Sequence, residues 1–170
     1  MRRFDQTKDD LGFSFHYNNA ETDELNKRLN NNKDFTLDDL RRVALWKINR
    51  VLDIPDDLLL ELREFLSEED LSIDNVKLKP LVNRLLECSG IGMPMVSSFL
   101  KFLRPDVFPI IDVRAYRAIY GKKIYYQSYS YDTYIDYVKK VYEIRDHFKM
   151  PLSEVDQQLY CFDKEYNGKI

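Results

Sequence analysis

Residues 85–120 read LLECSGIGMPMVSSFLKFLRPDVFPIIDVRAYRAIY, and the order of features along them decides how the chain is read. An apolar helical run ends at Cys88 and Ser89, a Gly-Ile-Gly turn follows at Gly90, Ile91 and Gly92, and a second apolar run starts beyond Pro94. Asp112 stands twenty residues past Gly92, directly behind Phe108, Pro109, Ile110 and Ile111. A glycine turn at the start of a helix presents unbonded backbone N–H groups, and an anion such as phosphate is favoured there. The candidate donors are the amides of Ser89, Gly90, Gly92, Met93 and Met95. Pro94 has no N–H, which costs nothing in the first turn of a helix. The same glycines also suit plain packing, by letting two helices approach and by supplying a left-handed cap. Asp112 has two readings as well: a carboxylate held for chemistry, or the N-cap of the helix that begins beyond it.

Outward from this segment the apolar spacing is helical almost throughout. A short helix is expected over 21–30, closed by Asn30, Asn31 and Asn32. Thr36 reads as an N-cap with Asp38 and Asp39 in the first turn, opening a helix whose stripe is Leu37, Leu40, Val43, Ala44, Ile48, Val51 and Leu52. Pro55 starts the next helix, Leu71 and Ile73 lead into one that runs to Cys88, and the two helices around Asp112 follow. Residues 124–129 alone have strand character; helices over about 131–148 and 151–165 complete the chain. The expected fold is a compact all-α bundle of about seven to eight helices over 21–170, with the hairpin at 85–103. Residues 1–20 show no clear period and read as a loosely docked arm.

Composition limits the function classes. The 170 residues are 44% hydrophobic and 32% charged, which suits one domain with a real core. Cys88 and Cys161 have no CxxC or Cys/His spacing, so a zinc or iron–sulfur site is excluded on ligand count, and reduced thiols in the cytoplasm are expected. No apolar run approaches a membrane span. The net charge of −3 argues against a nucleic-acid partner, but its distribution is uneven. Between Met93 and Lys123, directly after the Gly-Ile-Gly turn, Lys101, Arg104, Arg114, Arg117, Lys122 and Lys123 stand against only Asp106 and Asp112, whereas 53–74 is strongly acidic. Among these, Lys101 and Arg114 are the candidate phosphate-binding side chains beside the turn. Ordinary solvated helix faces explain the same pattern. Tyr134, Tyr137 and Val141 fall at helical spacing and read as core, which leaves 124–129 as the better candidate for a substrate-contacting loop. His16 and His147 are isolated.

The Gly-Ile-Gly turn, the interval to Asp112 and the wording Phe-Pro-Ile-Ile-Asp-Val-Arg resemble the helix-hairpin-helix DNA glycosylases of the endonuclease III superfamily. Within that superfamily the chain is similar to an uncharacterised bacterial branch that carries a Trp-Lys-x-x-Arg element, here Trp46, Lys47 and Arg50. Strong resemblance covers about forty residues, with weaker matches at Trp46 and at Gln158, Leu159 and Tyr160. It implies that the hairpin binds the backbone of duplex DNA, that its carbonyls hold K+ or Na+, and that Asp112 stabilises positive charge on the sugar as a base departs. Bifunctional members place a lysine two residues beyond the second glycine; here that residue is Pro94, so no Schiff-base amine stands there. The expectation is a monomeric, monofunctional glycosylase using water as nucleophile, with Trp46, Lys47 and Arg50 as accessory candidates. Two alternatives stay open: a catalytically inactive DNA-backbone-binding module, and a helical domain acting on RNA or nucleosides.

Overall fold

The computed structural model describes residues 19–30, 34–48 and 51–170. The described residues are helical, with no strand among them. The contacts divide the chain into two units, Met1–Val51 and Leu52–Ile170. The arm read at 1–20 lies, as far as residue 18, outside the described residues, and the boundary between the units falls thirty-one residues beyond residue 20.

The first unit contains α1 (Asn19–Leu29) and α2 (Leu37–Lys47). Thr36 caps α2 as its sequence suggests: its hydroxyl accepts from the Asp39 amide, and the Asp39 carboxylate accepts from the Thr36 amide at 2.7 Å. Arg28 of α1 grips the same carboxylate at 3.1 and 3.0 Å. The Thr36 amide, then Arg28, hold Asp39 down at about 2. Arg42 joins Glu21 in the same way. The apolar stripe read from α2 is not a buried one, because Leu37, Leu40 and Ile48 are exposed.

The second unit holds α3 (Asp56–Leu66), α4 (Leu78–Glu87), α5 (Met93–Leu103), α6 (Val113–Tyr120), α7 (Tyr131–Phe148) and α8 (Leu152–Tyr166). Leu78, Leu81, Val82 and Leu85 repeat at i, i+3, i+4 and i+7 and are fully buried, so α4 is the central helix and packs on α3, α5 and α7. Each such side chain contributes roughly 1.5–3 kcal/mol of burial. Arg84, on the outer face of α4, bonds Asp57 and Glu61 of α3, so part of the acidic stretch 53–74 is neutralised by its neighbour. α6 packs on α8, and α8 on α7. The strand character of 124–129 is not realised; Tyr126–Ser128 form one turn of 3₁₀ helix. With Ile124 the one buried anchor in this run and no neighbouring strand to pair with, the β-branched and aromatic residues had no ladder to join.

Candidate functional site

α4 ends at Cys88, and the turn that follows needs glycine at one position. Gly90 has φ 78, in the left-handed region, whereas Gly92 has φ −116 and serves as the N-cap of α5. Ile91 is buried between them, and its amide donates to the Cys88 carbonyl at 3.3 Å. No side chain caps α5. The amides of Met95 and Val96 turn back to the Gly92 carbonyl at 2.9 and 3.0 Å, so Met95 is committed within the helix rather than presented outward. The amides of Gly90, Gly92 and Met93 have no acceptor among the described residues. Ser89 and Gly90 are exposed, while the Met93 side chain is buried in the core. The Cys88 thiol donates to the Arg84 carbonyl at 3.5 Å, and burial pushes it above its ordinary range. A methyl group at Gly92 would sit 3.6 Å from the ring of Tyr126, which places that ring against the turn.

Asp112 is delivered by a segment fastened at nearly every peptide. Three tyrosine hydroxyls of α7 donate to its carbonyls: Tyr142 to Val107 at 2.7 Å, Tyr134 to Pro109 at 3.0 Å and Tyr137 to Ile110 at 2.9 Å. The Ile110 amide donates to buried Asp156 at 2.9 Å, and the Ile111 amide to the hydroxyl of buried Ser97 at 3.2 Å. Ser97 itself donates to the Pro94 carbonyl at 2.8 Å, so one hydroxyl ties the first turn of α5 to the residue before Asp112. Asp112 then caps α6, its Oδ1 accepting the amides of Arg114 and Ala115 at 2.6 and 2.8 Å. Both cap bonds fall on Oδ1, and no hydrogen bond to Oδ2 is found among the described residues. The carboxyl is half-buried, and burial raises its pKa against the lowering effect of the two amides, with Asp156 and Asp163 adding to the rise. Half-buried Tyr129 is pushed up to about 12, first by burial and then by the Asp112 charge.

The basic surroundings are much reduced by internal pairing. Lys101, expected at a phosphate, is buried with its ammonium 3.8 Å from the Asp156 carboxylate. Arg114, expected beside it, bonds Asp163 at 3.1 Å and the Gly168 carbonyl at 3.0 Å, with its guanidinium over the Tyr160 ring. Arg117 holds the same Asp163 at 2.7 and 2.8 Å, and Arg104 holds Asp106. Arg117 first, then Asn167 and Arg114, bring fully buried Asp163 down to about 2. Both phosphate assignments therefore give way to structural ones: a side chain already desolvated against a carboxylate has its charge answered. Lys122 and Lys123 are exposed. Neither joins an ion pair among the described residues.

The Trp-Lys-x-x-Arg element lies in the first unit. Trp46 donates to the Thr22 hydroxyl at 2.9 Å, Lys47 is exposed at the end of α2, and Arg50 lies outside the described residues. Sequence reading missed Asp156, Asp163 and Ser97, whereas Tyr126 lies in the 124–129 run already marked as a candidate substrate-contacting loop. The first two have a faint signal, since Asp156 and Asp163 fall two turns apart on one face of an amphipathic helix and the inner positions of such a face seldom carry unpaired acids. Among the described residues no group of three His, Cys, Asp or Glu side chains is placed to hold a metal ion, and no helix is long and apolar enough to cross a membrane. The chain matches no family model, no curated protein and no solved structure.

Proposed function

We propose that the chain binds duplex DNA through the Gly-Ile-Gly turn in the manner of a helix-hairpin-helix protein, and that Asp112 gives it monofunctional DNA glycosylase activity. The single observation that carries this reading is the Ser97 hydroxyl, which joins the uncapped start of α5 to the peptide before Asp112. A phosphate on the amides of Gly90, Gly92 and Met93 would thereby be held in fixed register with the carboxylate. Asp112 has one oxygen spent on the cap and the other open to substrate, the division expected of an acid that must be both positioned and reactive. Its half-buried setting strengthens its interaction with positive charge developing on a sugar. A water molecule is the nucleophile, because Pro94 stands where an amine would be needed. The carbonyls of Ser89 and Gly90 accept no backbone hydrogen bond among the described residues, so they fit a hard monovalent cation such as K+ or Na+.

Strand cleavage after alkali treatment, on a panel of damaged duplexes, tests the chemistry. Wild type should release a base from at least one, and Asp112→Asn should lower that release by about a hundredfold or more while keeping duplex affinity. Equal release by Asp112→Asn would remove Asp112 from catalysis. A second reading, a DNA-backbone-binding module without chemistry, is favoured by the complete cap that Asp112 makes on α6. Duplex binding with no base release from any lesion would select it. With Lys122 and Lys123 as the exposed cations beside α6, log affinity should fall against log salt with a slope of about −2.

A further inference from the structure

We propose that Tyr125 and Tyr126, flanked by Lys122 and Lys123, form a stacking platform for unpaired bases of DNA beside the Gly-Ile-Gly turn. The inference rests on the DNA-binding reading above and narrows it to DNA with bases out of the helix. Tyrosines are abundant in this part of the chain, but their environments divide sharply. Tyr134 and Tyr137 are fully buried, and their hydroxyls are spent on the carbonyls of Pro109 and Ile110. Tyr125 is 68% exposed and Tyr126 76% exposed, and neither hydroxyl has a hydrogen-bond partner among the described residues.

These two rings are held outward by their backbone. Gly121, with φ 67, ends α6 and turns the chain, and buried Ile124 pins the loop to the core. The Ser128 amide donates to the Tyr125 carbonyl at 2.9 Å, closing the 3₁₀ turn that carries both tyrosines. Exposed side chains are common on this chain, but here two aromatic rings are adjacent in one fixed turn and offer their faces to solvent. Tyr126 also lies against the turn itself, its ring 3.6 Å from where a Gly92 methyl would be. The Tyr126 ring and the start of α5 are therefore close enough for one ligand to reach both.

Charge decides the kind of partner. Lys122 and Lys123 are exposed in the same loop, while Lys101, Arg104, Arg114 and Arg117 are answered by carboxylates. Free ammonium groups beside open aromatic faces fit a polyanion that offers π-faces, and in DNA only unpaired bases do so. A matched duplex shows the loop phosphates alone.

The experiment compares a matched duplex with the same duplex carrying a gap of a few nucleotides, one of them 2-aminopurine. Wild type should bind the gapped form more tightly and quench the 2-aminopurine. Tyr126→Ala should weaken gapped binding about tenfold, the loss of one stacked base, and leave the matched duplex unchanged. Tyr126→Phe should behave as wild type, and Tyr125→Ala should reproduce the loss in part. Both rings are exposed, so these variants fold, which far-UV circular dichroism checks. Equal gapped affinity for wild type, Tyr125→Ala and Tyr126→Ala would overturn the platform while the duplex-binding reading survived. If wild type bound neither form at low salt, both would fall together.

Discussion

Gly90 and Gly92 are indistinguishable by residue type, yet only Gly90 adopts a backbone conformation that other residues resist. Gly90→Ala should cost about 1–2 kcal/mol of stability, because a Cβ in the left-handed region meets the following carbonyl oxygen. Gly92→Ala should cost only a few tenths by the same measure, since its φ is ordinary and the new methyl makes normal contact with Tyr126. Urea unfolding of the two variants settles this, and equal losses would show that close packing, not backbone conformation, fixes both glycines. At Asp112 both sequence readings survive in one side chain. The cap is visible in the bonds to Oδ1, and the open Oδ2 leaves the chemical role to experiment. Lys101 and Arg114 show where residue-level reading fails. A count of charges near a turn does not reveal that acids forty-nine or more residues away, Asp156 and Asp163, answer them.

Among the elements, α7 does the most to place the candidate site. Tyr134, Tyr137 and Tyr142 reach the segment 107–110 with their hydroxyls; helical spacing predicted Tyr134 and Tyr137 as core but not this hydrogen bonding. Tyr134→Phe leaves the ring in place and strands the Pro109 carbonyl, so it should destabilise the fold by about 1–3 kcal/mol in denaturant titration. Tyr126→Phe, on an exposed ring with no such bond, should be neutral in the same assay. Helix boundaries were legible because their signals are local: Thr36 as a cap, Pro55 and Pro151 before helix starts. The 3₁₀ turn was not, because its aromatic and β-branched residues match a strand until the absence of a partner strand is known.

For the whole molecule, ionisable groups pull stability in opposite directions with pH. Asp39 and Asp163 are held at about 2, below the ordinary carboxylate value, so each stabilises its unit above pH about 4 and loses that contribution as pH falls towards about 2. Asp112 is raised, so its protonated form is favoured by folding and its contribution declines as pH climbs through the carboxylate range. Far-UV circular dichroism across this range should show acid unfolding beginning below pH about 4. Asp163→Asn should remove part of that slope and cost about 3 kcal/mol or more at neutral pH, because Arg114 and Arg117 lose a buried carboxylate. An unchanged acid profile would mean that the α6–α8 clamp adds nothing to stability. The all-α class and the core of the second unit followed from periodicity, since Leu81, Val82, Leu85, Val96 and Leu100 are fully buried as their spacing requires. The division after Val51 did not, because the nearby Pro55 reads as an ordinary helix start and no glycine or low-complexity run marks the boundary.

Cys88 has a consequence for watching the protein at work. Its thiol sits at the end of α4, two residues before Gly90, half-covered and with its pKa raised by burial, whereas Cys161 is exposed on α8. Alkylation follows the thiolate and its access. The two thiols therefore form a ratiometric clock, in which Cys161 keeps the reference time and any molecule seated on the turn delays Cys88 alone.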